Sequence, residues 1–347
     1  MHRDPALEYL NRRTSGLDRR AMLRPMSTGE IVDVAARAYQ RLGRAILGQI
    51  ALPMVLCFAV VLFFFVFLGP AFFQTSDPRS IATQIGESIA VVAVGLAVAL
   101  PLFLLGVAYS QGIVSRLVAD FLLGNKPDRT AAAEAARRSL KTLAGAGFRM
   151  FFSAFFALLL AGGLLMLSAI ITDSSTSGNP LPAILSILAI LLCIASPLGP
   201  ILVLFRYALA PVVAVVEGIG PKASMRRSRD LMKSSPFQPG AAGAMLAAIF
   251  LCVFLFGVMW GGTAMAFGLV GLSDHVVSHF GSSPSGMVLQ TLLTLLPIYF
   301  AMWVVAPVWM ATCTIVYFDR RIRLEGFDIY VLEQDVRRAS GKSRFQY

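Results

Sequence analysis

The sequence predicts an all-α fold: a polytopic transmembrane helical bundle of about six spans, arranged as three hairpins that each follow a cytoplasmic amphipathic surface helix. Three observations predict it: an apolar composition, six long apolar runs, and basic residues confined to alternate connecting segments. Of the 347 residues, 57% are apolar and 14% are charged, and the mean hydropathy is +0.73. A soluble domain cannot shield that much apolar surface from water.

The apolar runs have the length of membrane spans. Crossing the hydrocarbon core of a bilayer takes about 20 apolar residues, and a backbone without water must satisfy its own hydrogen bonds, so each run predicts a helix. None of the runs contains an acidic or basic side chain. They cover residues 47–68, 89–109, 150–171, 181–205, 241–272 and 287–318.

The basic residues predict the orientation. Segments 1–46, 110–149, 206–240 and 319–347 hold 29 of the 30 lysines and arginines, and the other three loops hold only Arg79. Basic residues accumulate on the cytoplasmic side, so both termini are expected there. The same rule, with attraction to anionic lipid, explains the net charge of +11, and no nucleic-acid partner is expected. The first run follows 46 mostly polar residues, which predicts an uncleaved anchor.

Three basic segments have the pattern of amphipathic helices. In the first, Ser27 and Glu30 fit a capping box, and one face carries only apolar residues. That face holds Ile31, Val34, Ala35, Ala38, Leu42 and Ile46, with Arg37, Arg41 and Arg44 on the other side. The second segment, 130–143, contains Arg137 and Arg138, and the third, 221–233, contains Arg226 and Arg227. A helix of this kind is expected to lie in the headgroup layer with its arginines toward phosphate, either as a topology anchor or as a headgroup-binding or partner-docking element.

The segments suggest internal repetition. Gly124 to Pro127 and Gly218 to Pro221 share a Gly-x-x-Pro turn ahead of the second and third segments. We therefore expect a cytoplasmic tail over 1–26, a membrane domain over 27–320 built from degenerate units at about 27–115, 127–208 and 221–320, and a second cytoplasmic tail over 321–347. Arg149 and Arg206, at the inner ends of the third and fourth runs, are expected to reach phosphate.

Three stretches carry a family resemblance: Leu23 to Asp33, Ala223 to Ser228, and Val316 to Asp328. With their Arg-Pro-x-Ser-x-Gly-Glu-Ile and Arg-x-Glu-Gly-Phe-Asp signatures, they resemble the membrane domain of some bacterial glycerophosphoryl diester phosphodiesterases. The resemblance implies a multi-pass protein of the bacterial cytoplasmic membrane. Catalysis in such phosphodiesterases resides in a separate soluble barrel, and no segment here is long enough to form one, so the resemblance does not carry over the activity.

A search for catalytic constellations gives the same answer. The sequence has neither a Gly-x-Ser-x-Gly elbow nor a phosphate-binding loop. Its four cysteines, Cys57, Cys193, Cys252 and Cys313, lie singly inside apolar runs, which favours buried apolar residues over metal ligands. No cofactor is expected.

One cluster supports a metal hypothesis. His275 and His279 stand four residues apart beside Asp274, in a loop assigned to the outside. On a helix the two imidazoles face the same way, which is a start for zinc or copper binding, although exposed loop histidines without a metal are common.

Three functional classes follow. The favoured class is a non-enzymatic membrane module that organises anionic lipid headgroups or a partner protein at the cytoplasmic face. The second is a transporter or flippase-like body, for which a polar cavity near Gln290 is the expected sign. The absence of acidic and basic residues from the spans weakens a coupled transporter. The third class, a membrane-embedded enzyme, has the least support because the sequence offers no plausible acid, base or metal set.

Overall fold

A computed structural model of the chain describes residues 24–73, 81–174, 180–233, 241–271, 278–279, 284–329, 331 and 333. Within these ranges the secondary structure is helical and no strand occurs. The principal helices are α1 Thr28–Phe73, α2 Ile81–Leu122, α3 Arg129–Ser174, α4 Leu181–Ala195, α5 Leu198–Tyr207, α6 Ala210–Val216, α7 Pro221–Met232, α8 Ala241–Leu269 and α9 Pro284–Glu325.

Five stretches of helix are long and apolar enough to cross a membrane, judged by length and composition. A sixth is added if α3, which bends by 46° between Ala157 and Leu159, counts as one span. The prediction of an all-helical chain with about six apolar spans is confirmed to that extent. The stretch Leu181–Val216 is interrupted where α4 and α5 meet at Ser196 and Pro197. The interruption lies at a proline, which cannot continue the hydrogen-bond ladder of the preceding turn.

All four basic segments meet at one end of the bundle, which we call the basic end: residues 24–46, 108–146, 206–233 and 310–329. The start of α1 reaches the end of α9 through a hydrogen bond of 2.8 Å from the Met26 N–H to Asp319 Oδ1. On α7, Ser228 Oγ donates to the Arg206 carbonyl of α5 at 3.1 Å. The start of α1 and the end of α9 therefore lie at the same end of the bundle.

The basic end has a continuous hydrophobic core of its own. Its centre is the last half of α2, where Ile113, Val114, Leu117 and Val118 have no exposed surface. Residues 110–122 continue α2 into this core, whereas the sequence suggested a cytoplasmic segment from Ser110 onward and a unit boundary near 115. Among residues 110–122 only Arg116 is exposed, and even Ser110, Ser115 and Asp120 are buried, as expected of a helix surrounded by protein.

The first two predicted surface helices do not form separate helices. The first and second are the opening turns of α1 and α3, and only the third, α7, is a separate helix. The apolar face of the first, which contains Ile31, Ala38 and Ile46, is buried at 0–8% exposure. These side chains belong mainly to the protein core, so they are not free to enter a headgroup layer. The capping box of Ser27 and Glu30 is confirmed by reciprocal hydrogen bonds of 2.8 and 3.3 Å.

A shared turn closes three helices at the basic end. Gly124, Gly218 and Gly326 follow α2, α6 and α9 with φ angles of +67°, +67° and +61°. That left-handed conformation ends a helix with little strain only when the residue lacks a Cβ. The turns predicted at Gly124 and Gly218 are confirmed, and Gly326 adds a third after α9, which runs five residues past the predicted boundary at 320.

The helices form two groups along the bundle. Helices α1, α2, α8 and α9 pack together, and α3 packs on α2, α4 and α5. Two close crossings fix these groups: a Cβ on Gly106 of α2 would lie 2.4 Å from Cys57 Sγ on α1, and one on Gly199 of α5 would lie 2.1 Å from the Ala154 carbonyl oxygen on α3. Among the described residues, α3, α4 and α5 make no substantial contact with α8 or α9, so the two groups are joined through α2 and the basic end.

Candidate functional site

A closed ring of five polar side chains joins α6, α7 and α9 at the basic end. Arg227 Nε donates to Glu217 Oε1 at 3.3 Å, and Tyr317 Oη donates to the same oxygen at 2.8 Å. Arg321 Nη1 donates to Tyr317 Oη at 3.2 Å and its Nε donates to Glu325 Oε2 at 3.0 Å. Arg227 Nη2 donates to Glu325 Oε1 and completes the circuit. We call these five residues the polar ring.

The polar ring holds two guanidinium groups against two carboxylates. Glu217 and Glu325 each precede a glycine that ends a helix, and both carboxylates pair with Arg227 on α7. Burial alone lowers the pKa of Arg227, but the two carboxylates raise it by more, and its pKa is raised overall. Arg321 also stacks over the Phe327 ring, 4.3 Å from its centroid. Arg227 is therefore a structural cation whose charge is already compensated.

A second polar contact fastens the N-terminal segment to α9. The Asp319 carboxylate has no exposed surface and receives hydrogen bonds from the Met26 N–H at 2.8 Å and from Arg323 Nε at 2.9 and 3.1 Å. Arg323 Nη2 in turn donates to the Met26 carbonyl at 2.5 Å. The sequence placed Arg323 in a tail and left Asp319 without a role. Both belong to the folded core.

Between these two contacts lies the most deeply buried cation of the described residues. Arg320 is fully buried, and its Nε donates to the Leu231 carbonyl at 3.0 Å. That carbonyl is one of the last in α7 and has no partner within its own helix. Arg320 Nη1 and Nη2 have no hydrogen-bond partner among the residues that the structure describes. Arg320 thus caps α7 at the cost of a poorly compensated buried charge.

The remaining arginines predicted as headgroup or partner ligands are exposed and do not gather into one pocket. Arg37 donates to the Asp33 carbonyl within α1 at 3.4 Å, and Arg41 lies 5.9 Å from the Phe121 ring centroid. Arg138 pairs with Glu134 at 3.2 Å with 81% of its side chain exposed, a pair that contributes little. Arg137 and Arg226 are also exposed. Only Arg227 of the six enters a polar network among the described residues.

A large cavity opens between the two helix groups. It has a volume of about 740 Å³ and is lined by α1, α2, α3, α5, α6, α8 and α9. The lining contains no charged side chain, and its polar groups come from Gln111, Tyr299 and Trp309, with the Cys57 thiol. Gln111 Nε2 donates to Ser115 Oγ at 3.2 Å. Gln290 does not line it, so this cavity is not the polar one predicted near Gln290.

The metal hypothesis falls largely outside the described residues. Asp274 and His275 lie there, and His279 is exposed with Ser278 Oγ 3.3 Å from its Nδ1. Within the described part of the chain, no three histidine, cysteine or acidic side chains are placed to hold a metal ion.

Sequence reasoning missed the polar ring and the Asp319 contact because their members are far apart in the chain. Two signals pointed toward them. The first is the Glu-Gly pair that stands at the end of α6 and again at the end of α9, each with a left-handed glycine. The second is that Met26, Asp319 and Arg323 all lie in the stretches that carry the family resemblance. No protein-family model, no curated protein and no solved structure matches this chain.

Proposed function

We propose that this protein is a non-enzymatic, multi-pass module of a bacterial cytoplasmic membrane that binds the headgroups of anionic phospholipids at its basic end. The basic end then faces the cytoplasm, with the N- and C-terminal segments on that side. This placement agrees with the resemblance to the membrane domain of glycerophosphoryl diester phosphodiesterases, which we retain as a proposal.

One observation carries the proposal: the basic end separates its structural cations from its exposed ones. Arg227, Arg320, Arg321 and Arg323 lie in internal contacts. Arg226 is exposed on α7, which those contacts hold in place, and Arg137 is exposed on α3, which packs on α7. Guanidinium groups on a rigid surface beside anionic lipid lose little entropy on binding phosphate.

The test is lipid affinity of the purified protein after delipidation, measured by thermal stabilisation with phosphatidylglycerol and with phosphatidylcholine. In the Arg137→Gln, Arg138→Gln, Arg226→Gln triple variant, the loss of about 1 kcal/mol per basic residue near an anionic surface predicts on the order of 100-fold weaker phosphatidylglycerol binding. The matched control replaces the same three residues with lysine. It keeps the charge and should retain most of the affinity.

Two results would contradict the proposal. Equal stabilisation by both lipids, or a glutamine triple variant that binds phosphatidylglycerol as the wild type does, would leave the exposed arginines as topology anchors. Separately, a C-terminal phosphatase reporter that is active only outside the cytoplasm should stay silent. An active reporter would reverse the orientation.

A lipid-moving body is the second candidate, and the cavity is the observation that favours it. Because its lining is apolar, it suits a hydrocarbon chain better than a polar solute. Transfer of a fluorescent phospholipid between leaflets of vesicles that contain the protein tests this candidate.

A further inference from the structure

The cavity has the dimensions of a binding site for a hydrocarbon chain. Its volume of about 740 Å³ lies within the range of sites that enclose small molecules. Its wall on α9 extends from Leu295 to Met310, about 22 Å at a rise of 1.5 Å per residue. One leaflet of a bilayer provides roughly 15 Å of hydrocarbon depth. The cavity therefore has room for the whole length of an acyl chain.

The lining suits a flexible apolar ligand. Met54, Met150, Met302 and Met310 contribute four unbranched thioether side chains, which adapt to ligands of varied shape. Met302 is 46% exposed, so the cavity wall reaches the outer surface of the bundle there. No charged residue faces the cavity, which disfavours an ionic ligand inside it.

Two exposed cations stand next to cavity-lining residues on α3 and α5. Arg149 is flanked by the lining residues Gly147 and Met150, and Arg206 lies between the lining residues Val203 and Ala208. Both arginine side chains are exposed.

The crossing of α3 and α5 sets the relative depth of these two cations. The helices run in opposite directions and meet where Gly199 approaches Ala154. Seven residues toward the basic end lead from Gly199 to Arg206 on α5 and from Ala154 to Gly147 on α3. Arg206 therefore stands level with Gly147. Arg149 is two residues, or about 3 Å, from that level.

We propose that the cavity binds one acyl chain of an anionic glycerophospholipid whose phosphate is held by Arg149 and Arg206. The inference rests on the membrane placement proposed above. It does not depend on headgroup binding by Arg137, Arg138 and Arg226, since none of these lines the cavity. The chain lies between the two helix groups, where α3 and α5 do not pack against α8 and α9.

The cavity can be filled without disturbing its walls. A Cβ added at Gly147 meets nothing within 4 Å, so Gly147→Phe directs a benzyl group into open space. A benzene ring fits a space of about 150 Å³, which is roughly one fifth of this cavity. Gly163 provides the matched control, because it lies on the same helix, is exposed, also meets nothing within 4 Å and does not line the cavity.

The experiment is native mass spectrometry of the full chain after detergent extraction and addition of phosphatidylglycerol. We expect one retained phosphatidylglycerol per chain for the wild type and for Gly163→Phe, and at least tenfold lower occupancy for Gly147→Phe. Arg149→Gln with Arg206→Gln should lower retention of phosphatidylglycerol, while the paired lysine replacements should keep it. Unchanged occupancy in Gly147→Phe would overturn acyl-chain binding. Unchanged retention in the Arg149→Gln, Arg206→Gln variant would overturn the phosphate contact, and equal retention of phosphatidylcholine would overturn the preference for an anionic lipid.

A second measurement needs no cavity-filling variant. With Trp260 and Trp303 replaced by Phe, the remaining tryptophan, Trp309, lines the cavity. Phosphatidylglycerol brominated along its acyl chain should quench Trp309 fluorescence in the Gly163→Phe background and much less in the Gly147→Phe background. Equal quenching in both would contradict the proposal. The Arg137→Gln, Arg138→Gln, Arg226→Gln triple variant separates the two proposals. Loss of thermal stabilisation by phosphatidylglycerol with Trp309 quenching preserved would show headgroup binding and acyl-chain binding at different sites.

Discussion

We expect Asp319→Ala to destabilise the fold more than any exposed carboxylate replacement. The substitution removes the acceptor for the Met26 N–H and leaves the Arg323 guanidinium without its carboxylate. Asp319 is fully buried and the Arg323 side chain is 24% exposed. Breaking a buried ion pair from one side costs about 3–5 kcal/mol, because the remaining charge stays in a poorly solvated place.

The loss can be followed by thiol reactivity. Cys313 is buried, with 1% of its surface exposed, and does not line the cavity, so a maleimide dye reaches it only when the bundle opens. Cys57, which lines the cavity, and the partly buried Cys193 and Cys252 are replaced by alanine to remove background labelling. At roughly 2 °C per kcal/mol for a chain of this size, the midpoint of labelling on heating should fall by roughly 6–10 °C.

The matched control is Asp33→Ala, an exposed aspartate in the same N-terminal stretch, for which a change within about 0.5 kcal/mol is expected. A double variant, Asp319→Ala with Arg323→Ala, should be less destabilised than the sum of the single variants because no unpaired guanidinium remains. Equal midpoints for Asp319→Ala and Asp33→Ala, or a strictly additive double variant, would refute the reasoning.

Three further substitutions follow from the packing. Arg227→Gln should lower the labelling midpoint, because it leaves two ring carboxylates without their shared partner, while Arg226→Gln should leave the midpoint unchanged. Gly199→Ala should also lower the midpoint, since its Cβ would meet a backbone oxygen that cannot move aside. Gly163→Ala should raise the midpoint, because alanine stabilises an open helical position by up to about 1 kcal/mol relative to glycine. Arg320→Met should change it little, because removing a buried cation offsets the lost hydrogen bond to α7.

The sequence was sufficient where the physics is local. Apolar runs longer than 20 residues must be helical in a bilayer, and the helices follow them. The turns at Gly124 and Gly218 were predictable because a glycine three residues before a proline is typical of a helix that ends in a left-handed turn. The capping box at Ser27 was predictable for the same reason: both partners lie within one turn.

The sequence was insufficient where two environments favour the same pattern. An apolar stripe opposite arginines fits a helix on a lipid surface and a helix on a protein core equally well. For Ile31 and Ile46 the core is formed by residues from α2 and α9, distant in the chain. The cavity was beyond prediction for a related reason, since it depends on how two helix groups diverge rather than on any one run.

The adjacent arginines at 226 and 227 show why charge counts alone misplace function. By the positive-inside rule the two are equivalent, and both were predicted to contact headgroups. One helical step of about 100° directs Arg227 into the polar ring and leaves Arg226 exposed. At the earlier pair the structure differs, because Arg137 and Arg138 are both exposed and lie outside the ring. A glutamine scan of basic residues that scored lipid binding alone would confuse loss of the fold at Arg227 with loss of a ligand contact at Arg226, so each variant has to be read against its thermal midpoint.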